Sequence, residues 1–427
     1  MTLSQDHDEQ ATSAVLQDAL EVLLRFGGAL MRAGDTAFRV REWMSMLARK
    51  MAMDNLSVSL TLGGVTAAVR QGAEQAMMMR DIEPPAVNVW RIGALEQLAQ
   101  TASPTVSARE IATKLLEIET AASLYSSYQT AAMIGGACGA FAFLNGGGPL
   151  EVIAAGIGGG IGQWLRLILS VRGFNQYSAA ALCAAAASGS YALIAVVLSH
   201  AGFGSARHAA GFISSTLFLV PGFPLVAAVL DLVEYQTIAA LSRFAYSAMI
   251  LLAAAFGLSV VIALGGFDVA LPPPTVEPAI WLKVLLRGIA SFVGGCGFAI
   301  LYNSSIRAVL AVGLLSLGAN ELRLALHDGG MMLAPATFLA ALAVGLVASI
   351  LHRHLNEPRI AITVPGIIIM VPGLYAFQMI VLFNQGQMLD ALQAASLCGF
   401  VIGAMAMGLA AARLLYERHI HPEQPHK

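Results

Sequence analysis

Two short runs carry most of the chemistry open to this chain. Val220-Pro221-Gly222-Phe223-Pro224 interrupts one apolar stretch, and Val364-Pro365-Gly366 with Val371-Pro372-Gly373 interrupts another. A proline inside a helix removes a main-chain donor and costs ~3 kcal/mol or more. In an apolar setting the freed carbonyl must face protein or a water-lined cavity. Unwound backbone therefore leaves N–H groups for a carboxylate and bare carbonyls for an ammonium group or a cation. Pro221, Gly222, Pro224, Pro365, Gly366, Pro372 and Gly373 are candidate binding residues on this ground. Asn145 and Asn303, near the ends of two similar apolar runs, join them, with Gln163, Asn320 and Asn384 as further polar candidates. Asp231 and Glu234 follow Pro221 and are candidate coupling groups, able to exchange a proton or face an amine. Interfacial capping is the plainer reading of both, and kinked packing that of the prolines.

This is recognition chemistry, not bond making. The sequence has no phosphate loop and no paired nucleophile and base at membrane depth. His352 with His354, and His419 with His421, have no convergent partners. Cys138, Cys183, Cys296 and Cys398 stand apart in apolar runs, with neither a disulfide framework nor zinc spacing. The expectation is no enzyme, no metal and no cofactor.

Composition sets the surroundings. The chain has 427 residues, 57% hydrophobic and 12% charged, with a mean hydropathy of +0.71. Soluble domains carry about 25% charged residues. The shortage excludes an ordinary soluble enzyme, a disordered chain and a coiled coil, and a net charge of −2 gives no reason to expect nucleic acid. Just over half of the charged residues lie in the first 119 positions. Beyond them, 120–150, 173–206, 244–267, 329–352, 360–389 and 391–412 contain no charged side chain. A helix needs roughly 20 mostly apolar residues to span a bilayer.

The expected architecture is an all-α polytopic membrane protein carrying a small N-terminal cytosolic α+β domain. That domain covers 1–120; its polar, acidic opening lacks the basic flank and apolar core of a secretory signal. Leu16, Leu20, Leu23, Leu24 and Leu30 predict a first helix, ended by Gly34. Asp35 or Thr36 caps a second helix. Strands are predicted at 58–62 and 65–70 around Gly63-Gly64, and a third at 87–92. Ser107 with Glu110 opens a last helix. The run Met77-Met78-Met79 reads as a packing or docking surface.

Ten spans follow, near 124–144, 149–170, 177–199, 208–231, 244–266, 280–301, 308–326, 332–352, 360–383 and 391–415. Arg166, Arg172, Arg243, Arg307, Arg353, Arg359, Arg413, Arg418 and Lys427 then fall inside, against Arg207, Lys283, Arg287 and Arg323 outside. This bias places both termini in the cytoplasm. Glu151, Arg166, Arg307, Glu321 and Arg323 sit near span ends, where snorkelling or loop pairing accounts for them.

The membrane part also repeats. Gly135-Gly136-Ala137-Cys138-Gly139-Ala140-Phe141 is echoed by Gly294-Gly295-Cys296-Gly297-Phe298, and Val220-Pro221-Gly222-Phe223 by Val371-Pro372-Gly373-Leu374. Five spans per half is odd, so the halves, 121–267 and 280–418, are expected as inverted repeats joined by an external Pro-rich linker at 268–279, with a tail at 419–427. Secondary transporters of this build hold substrate near the midplane. Gly156, Gly158, Gly159, Gly160 and Gly162 provide small-xxx-small faces for packing within or between chains, which leaves a homo-oligomer open.

At this point the residues resemble the threonine/serine exporter family. The run LFLVPGFPLVAAVLD at 217–231, Leu144-Asn145-Gly146-Gly147, Arg32-Ala33-Gly34-Asp35-Thr36 and LARKMAMD at 47–54 resemble its larger module. The stretch from Gly297 through Asn303 and Arg307, with VPGIIIMVPGLYA at 364–376, resembles its smaller partner module. The two look fused, over roughly 15–415. The resemblance implies a secondary exporter of small hydrophilic metabolites in the bacterial inner membrane, threonine and serine above all, with small dicarboxylates such as succinate as the alternative. The combined expectation is export of a small amino or organic acid driven by the proton motive force, with protons and the lipid bilayer as the other partners. A competitor of another class is a membrane sensor with a cytosolic output domain.

Overall fold

The computed structural model describes residues 2–71, 74–202, 208–265 and 279–420. The expected linker, apart from its last residue, lies outside them, as does most of the tail. The chain folds as two compact units. One comprises Met1–Ser123 with Leu230–Arg243, the other Leu124–Val229 with Phe244–Lys427.

The first unit opens with helices α1 (Thr2–Ala33) and α2 (Ala37–Lys50). Leu16, Leu20, Leu23, Leu24 and Leu30 form the buried stripe of α1, as their spacing requires. Gly34 takes φ +101°, a left-handed value that turns the chain out of α1. Strands β1 (Asp54–Leu60), β2 (Gly64–Gln71) and β3 (Glu74–Asp81) form an antiparallel sheet in that order. The predicted hairpin forms: Leu60 pairs with Val65, and Thr61 N–H donates to Gly64 O at 2.9 Å. Val65, Ala67 and Val69 alternate into the core beneath α1.

The third strand is not at 87–92. That segment opens α3 (Val89–Thr101), whose cap is Asn88, its side chain accepting from Arg91 N–H at 3.0 Å. Val89, Ile92 and Leu95 are all buried, a helical spacing that the short β-branched run conceals. The third strand instead carries the methionines, with Met77 69% and Met79 68% exposed on its outer face. Helix α4 (Ala108–Thr120) starts at Ser107, whose Oγ accepts from Glu110 N–H at 3.2 Å.

The second unit holds α5 (Ser127–Leu144), α6 (Pro149–Val171), α7 (Gln176–His200), α8 (His208–Ser214), α9 (Gly222–Val233), α10 (Thr237–Gly265), α11 (Ile280–Leu301), α12 (Ile306–Asp328), α13 (Leu333–Leu355), α14 (Arg359–Ile367), α15 (Gly373–Asn384) and α16 (Met388–Ile420). The end of α9 and the start of α10 belong to the first unit. Among the described residues, seven helices are long and apolar enough to cross a membrane: α6, α7, α10, α11, α12, α13 and α16. Two bent pairs, 210–219 with Gly222–Val233 and 359–370 with Gly373–Phe383, raise the number to nine. The expected tenth, 124–144, shortens to the 18 residues of α5, because its capping box at Ser126 and Gln129 starts the helix late and spends its first turn on polar residues. Helix α10 starts at Thr237, so Arg243 lies within a helix and not in the loop where the charge count put it.

Glycines set the close helix contacts. A Cβ on Gly257 of α10 would stand 2.1 Å from the Ala181 carbonyl oxygen of α7, where only backbone can yield. Gly257→Val is expected to destabilise the protein by about 3 kcal/mol, the upper end for overpacking, read as a lowered melting temperature in detergent. A wild-type melting temperature would show that α7 and α10 do not pack this closely.

Candidate binding site at the helix breaks

The two proline runs build the same local structure. A 3₁₀ turn (Leu217–Leu219, Ile368–Met370) leads to an extended valine, Val220 at φ −62°, ψ 120° and Val371 at φ −60°, ψ 128°. Pro221 and Pro372 follow, and α9 and α15 begin one residue later. Gly222 N–H turns back to Val220 O and Gly373 N–H to Val371 O, both at 2.8 Å. Leu225 N–H then donates to Pro221 O at 3.0 Å, and Ala376 N–H to Pro372 O at 3.1 Å. The bends are 62° and 48°. Pro224 occupies the first turn of α9, where a missing N–H is tolerated, and removes the donor that Tyr375 supplies in α15. Pro365 and Gly366 do not break the chain: α14 runs through both to Ile367.

The breaks also meet each other. A Cβ on Gly222 would lie 2.6 Å from Ile368 Cδ1 and 3.3 Å from Val371 Cγ2; one on Gly373 would lie 2.8 Å from Leu217 Cδ2 and 3.1 Å from Val220 Cγ2. Each glycine thus makes room for the other break's 3₁₀ turn and valine. The small cleft at the crossing is lined by Phe141, Leu217, Val220, Phe298, Ile368 and Val371, with the rings of Phe141 and Phe298 edge to face at 5.8 Å. Its lining is apolar, so recognition of a polar molecule falls to groups beside the crossing. A second cleft, about 790 Å³ against α5, α6 and α11, is also apolar and offers a hydrophilic ligand few polar partners.

Polar groups reach the second break from α12. Ser316 Oγ donates to Gly366 O at 3.1 Å, and Arg323 Nη1 donates to Met370 O at 3.3 Å. Asn320 lies between them, fully buried. Positions i, i+4 and i+7 form one helix face. That spacing is visible in the sequence, but nothing local says which neighbour it faces.

The two asparagines near the similar apolar runs do different work. Asn145 Nδ2 donates to Ser214 Oγ at 3.1 Å, just ahead of the first break. Asn303, at φ +57°, accepts from Leu124 N–H at 2.8 Å. Asn384 ends α15. Gln163 is buried on α6, and Glu234 is exposed in the turn after α9.

Asp231 belongs to the first unit. It is fully buried, its Oδ1 accepts from Ala37 N–H at 2.7 Å, and its Oδ2 stands 3.2 Å from Arg243 Nε. A carboxylate distant in sequence thus caps α2, while Thr36, the residue at the cap position, makes no side-chain bond to it. Arg243 also donates to the carbonyls of Asp35 and, at 3.5 Å, Gly34. Asp35 bonds Arg39 Nε at 2.9 Å, and Arg39 Nη2 bonds Glu96 at 2.8 Å. Burial opposes the charge of Arg39, yet Asp35 and Glu96 together hold its guanidinium above the ordinary value. Burial pushes the Glu96 carboxyl up, against the pull of Arg39. The sequence marks Asp35 and Asp231 separately; their common partner, Arg243, is legible only once the chain is folded.

Among the described residues, no three His, Cys, Asp or Glu side chains gather in a way that would hold a metal ion. All four cysteines are free.

Comparison with known proteins decides the family. A family model described as "Putative threonine/serine exporter" matches residues 21–265, more than half of the chain, and a second, "Threonine/Serine exporter, ThrE", matches residues 287–415. The chain belongs to the threonine/serine exporter family. The two models lie in tandem, so this member carries both exporter modules in one polypeptide, as a multi-pass membrane protein. A Haemophilus influenzae protein described as uncharacterized is 30% identical over 149 residues, covering 32% of this chain and 49% of the relative. The chain thus spans about half the length of that curated relative. No solved structure matches it.

Proposed function

We propose that this exporter-family protein is a secondary-active exporter of threonine- and serine-type amino acids, driven by the proton motive force across the bacterial inner membrane. One observation carries the proposal: two matched helix breaks, one from each exporter module, cross at each other's glycine. Crossed broken helices at the interface of two repeats are the usual place for a transporter's substrate. The element order supports the same reading. Three helices, a bent pair and a long helix occur twice, α5 to α10 and α11 to α16. Counting α5 as a short tenth span makes the halves inverted, with both termini in the cytoplasm and 1–120 as the cytosolic domain.

In this reading Pro221, Gly222, Pro224, Pro372 and Gly373 shape the site, Pro365 and Gly366 lie in the unbroken helix that leads to the second break, and Asn145 and Asn303 brace it. Asp231 is the coupling carboxylate, with Glu234 beside it in sequence. Protonation of Asp231 would remove the ion pair with Arg243 and weaken the bond from Ala37, at the far end of the helix that starts at the first break.

Counterflow in proteoliposomes tests the function, using labelled threonine, serine and succinate with and without a pH gradient. Exchange of threonine or serine, with accumulation against a pH gradient, is expected. Exchange of succinate alone would move the substrate to dicarboxylates, and no exchange at all would end the exporter reading. Asp231→Asn is expected to abolish gradient-driven accumulation while leaving membrane insertion intact. Unchanged accumulation would remove Asp231 from the coupling step.

A further inference from the structure

We infer that Asn320 and Arg323 of α12 form a zwitterion site: Arg323 receives the α-carboxylate of an amino acid, and Asn320 its ammonium or hydroxyl group. The inference rests on the exporter reading and specifies its substrate contacts.

The first argument is charge. Arg323 lies within a helix apolar enough to span a membrane, and an ionisable group there is costly unless paired. Its Nη1 reaches inward to Met370 O at the second break, and its Nε is buried without a hydrogen-bond partner. Asp328, at the end of the same helix, is taken by Arg287 at 2.7 Å and Lys283 at 3.9 Å. Glu321, two residues earlier, projects from another face of the helix. A hydroxyl like that of Ser316 suffices to satisfy a carbonyl freed near a break. A guanidinium brings in addition a positive charge and a fork of donors suited to a carboxylate.

The second argument is the orientation of the amide. Ser291 Oγ donates to Arg287 O at 2.7 Å, so its hydroxyl proton is spent. Asn320 must therefore turn its NH₂ group toward Ser291, where Nδ2 stands at 2.8 Å. That leaves Asn320 Oδ1 buried without a partner, an acceptor one helical turn from a guanidinium short of an acceptor. An α-amino acid supplies a donor and an acceptor on adjacent carbons; a dicarboxylate supplies two acceptors and leaves Oδ1 unmatched.

The third argument is recurrence. Gly313, Asn320 and Arg323 on α12 repeat, at identical spacing, Gly156, Gln163 and Arg166 on α6. Gly156 is the point where α6 meets Gly135 of α5, and Gly313 the point where α12 meets Phe292 and Cys296 of α11. Gln163 is buried with its Oε1 unpartnered, as Asn320 is with its Oδ1. Packing explains a repeated glycine. It does not explain a repeated amide and guanidinium with an open acceptor each time.

The test is threonine counterflow in proteoliposomes, with Arg323→Lys and Arg323→Gln beside the wild type and L-threoninol, whose carboxylate is replaced by CH₂OH, as competitor. Wild-type exchange is expected to be blocked by threonine and not by threoninol. The half-saturation concentration should rise at least tenfold in Arg323→Lys and more in Arg323→Gln, as loss of a charge-assisted hydrogen bond implies. Wild-type exchange with an unaltered half-saturation in Arg323→Lys would overturn the site and leave the exporter reading standing. No wild-type exchange with any amino acid would overturn both. Should neither variant be recovered folded, threoninol competing as well as threonine would by itself overturn the site.

Discussion

Arg243→Met is expected to lower folding stability by about 3–5 kcal/mol, the usual result of leaving one partner of a buried ion pair behind. Arg243 is 1% exposed and Asp231 0%, and the guanidinium also serves the carbonyls of Gly34 and Asp35. Its loss strands a carboxylate at the start of α2 and two carbonyls in the α1–α2 turn. The measurement is thermal unfolding of the purified protein in detergent. The double variant Asp231→Leu/Arg243→Met should recover most of the loss, because no uncompensated charge remains. It should not recover all of it, because Ala37 N–H loses its acceptor, worth about 1 kcal/mol for a cap, and the carbonyls of Gly34 and Asp35 still lack the guanidinium. A single variant that melts with the wild type would remove the ion pair from the architecture of the first unit.

Gly222→Val is expected to cost about 1–3 kcal/mol and to stop counterflow. Its side chain must enter space held by Ile368 Cδ1, 2.6 Å from the position of the new Cβ, with Val371 Cγ2 at 3.3 Å. Ile368 is buried in the packed core, so its Cδ1 has little room to rotate away. Ile368→Ala in the same chain should restore both stability and exchange. The mirror pair is Gly373→Val with Leu217→Ala, since a Cβ on Gly373 meets Leu217 Cδ2 at 2.8 Å. Rescue across residues this distant in sequence is the signature of direct contact. Equal loss in the single and double variants would mean that the two breaks do not cross.

Much of the scaffold can be read without the fold. The stripe of leucines in α1, the glycine that ends it, the β1–β2 hairpin and the Ser107 cap follow from period, turn chemistry and capping. Each acts within a few residues, and each forms where expected. The departures from expectation share a cause. At 87–92 a short apolar run fits strand and helix alike, and Asn88 tips it to helix by capping. Met77, Met78 and Met79 have modest strand propensity and become β3 because β2 offers a free edge. The span 124–144 is apolar enough in outline but begins with a polar turn.

What the amino-acid order determined alone is where the chain is apolar, where proline forbids a continuous helix, and which motifs occur twice. Those are properties of adjacent residues and of the missing N–H. What the tertiary structure decided is partnership. Asp231 takes Ala37 and Arg243, Arg323 takes the carbonyl of Met370, and each break takes the other's glycine. A carboxylate, a guanidinium or a bare carbonyl is satisfied by whichever group packing brings within about 3 Å. That choice belongs to the packed helices, and no local run of residues encodes it.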